Sequence, residues 1–168
     1  MKKFFLASLA FLAIFFSGCG YKVGSLMHPQ IKSIAIAPVT NDTMMYNVAA
    51  QMRGLLCECF QSDGSLKLVS ESAADCILYA KVTNATFNQI SWSNSDEDFL
   101  PNQWSVTITG KMTVMLPGRA TPLIKETSFS GQSQFTGGPD LETSRTLAIR
   151  QACFEAAKLA VAKVTEAW

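Results

Sequence analysis

From Trp104 to Val114 the chain alternates without a slip. Trp104, Val106, Ile108, Met112, Val114 and Leu116 fall on one side, with Gly110 in step. Ser105, Thr107, Thr109, Lys111 and Thr113 fall on the other. A period of two held over this length requires a β-strand, because successive strand side chains point to opposite faces. It also requires a sheet with unlike faces, one packed on a core and one meeting polar surroundings. The rest of the chain must therefore cover one side of this strand and leave the other.

The flanking segments supply the cover. In IKSIAIAPV (31–39), Ile31, Ile34 and Ile36 alternate with small or polar residues up to Pro38, which predicts a strand. Asn41, Asp42 and Thr43 offer candidate N-caps. Behind them Met45, Val48, Ala49, Met52, Leu55, Leu56, Cys59 and Phe60 recur at three- and four-residue steps until Gly64, one apolar helix face. Residues 66–69 and 75–92 read as extended. Cys76, Leu78, Ala80 and Val82 hold one phase, then Ala85 and Phe87 take over near Asn84, as a bulge would require. SNSDEDFLPN (93–102) reads as a polar loop and PGRATP (117–122) as a turn. Leu123 to Phe135 predicts a fourth strand, with Phe129 and Phe135 on one side. After TGGPD, Asp140 can cap a closing helix striped by Ile149, Cys153, Ala157, Ala160, Val164 and Trp168.

The expected order is β-α-β-β-β-α, an α+β fold. Two amphipathic helices cover one face of a four-stranded mixed sheet, giving a two-layer α/β sandwich over residues 31–168 as a single domain. The face carrying Ser105, Thr107, Thr109 and Thr113 is then left uncovered.

Chemistry-bearing motifs are missing. There is no Gly-x-Ser-x-Gly elbow, HExxH, phosphate loop or dinucleotide fingerprint, so no enzyme is expected. The acidic trio Asp96, Glu97 and Asp98 sits in a polar loop, where such runs are ordinarily solvated. A hydrolase built on it is the third function class. The one histidine, His28, is far from Cys57 and Cys59, whose CxC spacing is not that of a zinc ribbon. No metal or cofactor is expected. Nor is nucleic acid a partner, since no Lys/Arg cluster is present to displace counterions. Cys59 and Cys153 lie on the apolar stripes of the two helices, and Cys76 faces them from the sheet. A bridge from Cys153 to either Cys59 or Cys76 is open, as is simple packing of unbridged thiols.

The chain opens with Lys2 and Lys3, an apolar run from Phe4 to Phe16, and small Ser17 and Gly18. That pattern describes a secretory signal over residues 1–18. Phe4–Phe16 is too short to span a bilayer, which takes about 20 apolar residues. Phe16-Ser17-Gly18-Cys19 resembles the lipobox of bacterial lipoproteins, which implies cleavage before Cys19 and its acylation. Two or more acyl chains anchor a protein stably where one does not. By the same resemblance Gly20, standing where an aspartate would imply inner-membrane retention, implies the outer membrane. The mature chain would be 150 residues, with 12 Lys and Arg against 13 Asp and Glu.

Several stretches together resemble the lipopolysaccharide-assembly lipoprotein family, LptE. These are Cys19-Gly20-Tyr21, IKSIAIAPVTNDT, SAADCILYAKVTN and VMLPGRATPL, in the family's element order. The resemblance implies a lipidated tether over residues 19–30 and a two-layer sandwich. It also implies a non-enzymatic role: sitting inside the outer-membrane β-barrel translocon LptD, helping it assemble, and assisting delivery of lipopolysaccharide to the outer leaflet. A barrel lumen is polar, which suits the Ser105/Thr107/Thr109/Thr113 face as a partner surface. Lipopolysaccharide is anionic and calls for basic contacts. Arg119 in the PGR turn matches the family pattern, with Lys111 and Lys125 on neighbouring strands. The first strand and helix also resemble periplasmic lipoproteins that activate peptidoglycan synthases, which is the alternative function.

Overall fold

The computed structural model describes residues 31–92, 101–137 and 139–166. Strands β1 (Ser33–Ile36) and β2 (Thr40–Asn41) precede helix α1 (Val48–Asp63). A two-residue strand β3 (Lys67–Leu68) and a 3-10 turn (Glu71–Ala73) lead into three long strands: β4 (Cys76–Trp92), β5 (Pro101–Met115) and β6 (Pro122–Thr136). Helix α2 (Leu141–Thr165) closes the fold.

The sheet has six strands, not the expected four. Its order is β3-β1-β4-β5-β6, with β2 pairing β4 beyond the end of β1. Strands β1, β2 and β3 pair in parallel, whereas β4, β5 and β6 form an antiparallel meander. β1 and β2 are one line of pairing along β4, interrupted around Pro38. Ala37 N–H donates to Leu78 O at 3.0 Å and Asp42 N–H to Val82 O at 2.9 Å, so the ladder resumes past the proline. Proline has no N–H to offer a ladder, which accounts for the gap.

Both helices pack on one face, as the sandwich reading requires. Ile34, Ile36, Leu78, Val82, Val106, Ile108, Met112 and Val114 meet Met52, Leu56 and Phe60 of α1 and an alanine-rich stripe of α2 in one core. The bulge falls between Val82 and Asn84, where the pairing to β5 skips one residue. It hands the inward phase from Val82 to Ala85, and so keeps one face apolar from Cys76 to Phe87 of β4.

Helix starts differ from the caps expected. Asn41 lies in β2, and its Oδ1 accepts from Thr43 N and Oγ1 at 2.9 and 2.7 Å while its Nδ2 donates to Met45 O. The Asn-Asp-Thr run is thus a self-bonded turn, and α1 begins later, after Asn47 at φ 63°. Asp140 precedes α2 without a side-chain cap bond. At the other ends Gly64 closes α1 at φ 68°. Gly118 sits at φ 76° in the turn where Arg119 N–H donates to Leu116 O, with Pro117 preceding, the arrangement of a type II turn.

Close approach sets the spacing of α2 against the sheet. A Cβ on Gly131 would lie 2.2 Å from Ala152 O and Ala156 N, so α2 rides directly on β6 there. Gly110, its counterpart in β5, leaves the space taken by the Phe129 ring.

Candidate functional site

The face opposite the helices is built by register. Asn84, Thr109 and Ser130 form one cross-strand row, Thr86, Thr107 and Gln132 the next, and Asn88, Ser105 and Gln134 a third. All nine side chains are polar and none is charged. They lie on the face turned away from α1 and α2, because their neighbours Val106, Ile108 and Phe129 are buried in the core. Amide side chains lie across the rows: Gln132 Nε2 donates to Ser105 Oγ at 2.6 Å and Gln103 Nε2 to Gln134 Oε1 at 3.0 Å.

Of the expected face residues, Thr107, Thr109 and Thr113 are half-buried. Ser105 is a correction. It is 2 % exposed, roofed by its neighbours on β6, and offers no free hydroxyl to a partner. The β4 and β6 members of the rows were not singled out in the sequence. For β6 part of the signal was present, since Phe129 and Phe135 keep one phase in SFSGQSQFT (128–136), but Gly131 and Ser133 between them blur it.

A belt of charge bounds this surface on one side. Lys81 pairs with Asp42 at 2.6 Å and Lys111 with Glu126 at 2.7 Å, while Lys81 and Lys111 face each other across the β4–β5 ladder. Each ammonium has its own carboxylate, which offsets the like-charge contact. Lys111, expected as an anion contact, thus already holds a partner. Arg119 lies exposed in the β5–β6 turn and Lys125 exposed at the irregularity in β6; neither makes an ion pair among the described residues. The charges end at this belt, and the three rows beyond it carry none.

The bridge left open in the sequence is not formed: Cys57, Cys59, Cys76 and Cys153 are free thiols. Cys59, Cys76 and Cys153 are buried in the apolar layer, where they pack as small hydrophobes. Burial pushes the Cys76 and Cys153 thiols up to about 11. Burial also raises Cys59, helped by the Glu58 carboxylate. Asp75 is the opposite case. Its carboxylate accepts from Ser33 Oγ (2.7 Å), Ser33 N (2.9 Å) and Lys32 N (3.0 Å), tying β1 to the start of β4. These bonds, the Ser33 hydroxyl foremost, hold its pKa below the usual value.

Cys19, the signal and tether over residues 1–30, His28, the Asp96–Asp98 loop and Trp168 lie outside the described residues. Among the described residues no helix is long and apolar enough to cross a membrane, and no three His, Cys, Asp or Glu are placed to hold a metal.

No protein-family model and no curated protein sequence matches the chain. Solved structures do resemble it. The hypothetical protein CT253 from Chlamydia trachomatis superposes with a TM-score of 0.55 at 13% identity, over 80% of this chain and 96% of that one. A minor lipoprotein from Acinetobacter baumannii gives 0.53 at 7% identity, over 80% and 93%. Protein XCC0632 from Xanthomonas campestris gives 0.52 at 9%, over 82% and 88%. The likeness is one of fold. At such identities it extends to the arrangement of strands and helices, and one of these neighbours is a bacterial lipoprotein.

Proposed function

We propose that this chain is an outer-membrane lipoprotein, anchored by an acylated Cys19, that serves as a non-enzymatic subunit of a β-barrel lipopolysaccharide translocon. In this reading the folded domain sits in the barrel lumen through its open sheet face, helps the barrel assemble and assists lipopolysaccharide delivery to the outer leaflet. The observation that carries it is the uncharged three-strand face. A barrel interior is polar and wet, and a subunit lodged there needs hydrogen-bonding groups without unpaired charge. Eight exposed or half-buried hydroxyl and amide side chains over three strands, grouped around the buried Ser105, meet that requirement. The LptE-like opening Cys19-Gly20-Tyr21 and the fold shared with a lipoprotein support the same reading. Anion contact is assigned to Arg119 and Lys125 in preference to the ion-paired Lys111.

The test is extraction from membranes in mild detergent, affinity capture of the full chain and mass spectrometry of what accompanies it. A large outer-membrane β-barrel of lipopolysaccharide transport is expected in near-stoichiometric amount. A penicillin-binding protein in its place would transfer the chain to peptidoglycan-synthase activation, and a freely soluble, unacylated chain would end both readings.

A further inference from the structure

The two ends of β6 are protected very differently. Its first half carries the devices that blunt a sheet edge: Pro122, the charged Lys125 and Glu126 at an irregularity in pairing, and Lys163 of α2, whose Nζ donates to Ser128 O at 2.7 Å. From Ser130 to Thr136 the edge carries no charge and no proline. The pairing to β5 runs without a slip from Thr127 to Thr136. Thr109, opposite Ser130, turns its carbonyl to β4, where Thr83 Oγ1 donates to it at 3.2 Å. By the alternation of an antiparallel ladder, Ser130, Gln132 and Gln134 turn their N–H and C=O away from β5, to the free edge. Among the described residues no backbone group pairs with them.

Beside this open edge lies a cavity of about 610 Å³. Ser133 and Phe135 of β6 form part of one side and Leu147 and Phe154 of α2 another, with Leu147 62 % exposed, while Glu58 of α1 and Arg150 of α2 bring one charge of each sign to the lining. An unpaired strand edge running beside a partly apolar trough is the geometry that accepts an added strand, with backbone bonds for affinity and a pocket for alternate side chains.

We infer that residues 130–136 of β6 form a strand-addition site for an extended segment of another polypeptide, with polar and apolar side chains alternating. Its polar side chains continue the Ser130/Gln132/Gln134 face, and its apolar ones enter the trough against Leu147. A second copy of this chain fits less well. Its own β6 has Phe129 buried and Gly131 pressed against its own α2, so that strand would bring only half-buried Phe135 to fill the trough. This site goes beyond the proposed translocon role and stands or falls separately from it.

The experiment is a display library of random nine-residue peptides panned against the detergent-solubilised full chain, followed by amide exchange with the best binder. Enriched peptides should alternate polar and apolar residues. Their binding should slow exchange at Ser130, Gln132 and Gln134 at least ten-fold. Gln134→Pro removes one edge N–H at a position where strand proline is tolerated, and Leu147→Glu replaces the exposed apolar side chain of the trough with a carboxylate. Each should weaken binding at least ten-fold with unchanged circular dichroism. No enrichment, enrichment without alternation, protection elsewhere, or full binding by both variants overturns the inference. So does a concentration-dependent dimer protected at the same amides, which would assign the edge to a second copy.

Discussion

At the scale of single residues, two glycines make opposite predictions. Gly131 faces backbone atoms of α2 that cannot rotate away, so Gly131→Ala should destabilise the fold by about 3 kcal/mol, the scale of a core overpacking defect. Gly54 lies inside α1 with nothing within 4 Å of a new Cβ, so Gly54→Ala should stabilise by roughly 0.5–1 kcal/mol. Denaturant titrations of both variants check the pair. The thiols give a second prediction. With Cys76 and Cys153 raised to about 11 and Cys59 also raised and buried, their reactive thiolate forms are scarce at neutral pH. Among these four, only half-buried Cys57 should react with a thiol reagent until denaturant is added, when all four should label. That the thiols were unbridged was not readable from spacing, because stripe positions place a cysteine on a face but do not fix its distance to another.

At the scale of elements, long periods were readable and short ones were not. β5 declared itself through an alternation that matches its burial, with Val106, Ile108, Met112 and Val114 inward. The bulge at Val82/Asn84 showed as a phase change because four apolar residues preceded it and Ala85 and Phe87 followed. β2 and β3 are two residues each, too short to carry any period, and exist only because β4 and β1 offer partners in space. The start of α1 was misplaced because Asn41 and Thr43 satisfy each other, not helix N–H groups. The join of β1 to β4 through Asp75 has its own signature. A carboxylate held below its usual pKa adds stability that is present above the unfolded-state value and lost as pH falls through the folded one. The stability gap between the native chain and Asp75→Asn should therefore be widest near neutrality and close in acid below the ordinary carboxylate range. A gap that stays constant across that range would show the bonds to be indifferent to charge.

At the scale of the whole molecule, the sequence carried the one-sided sandwich but only part of its surface. The β5 row was visible as alternation, whereas its union with β4 and β6 into one uncharged face depends on registers that only pairing supplies. The boundary of that face, where Lys81 and Lys111 take Asp42 and Glu126 as partners, is likewise a tertiary fact. Placing that face within a barrel can be tested directly with a photo-crosslinking side chain at Thr107, in the centre of the face, and at Lys158 on the solvent side of α2. Illumination of cells should join the Thr107 variant to an outer-membrane β-barrel protein in high yield. Efficient capture of that barrel from Lys158 with none from Thr107 would contradict the account.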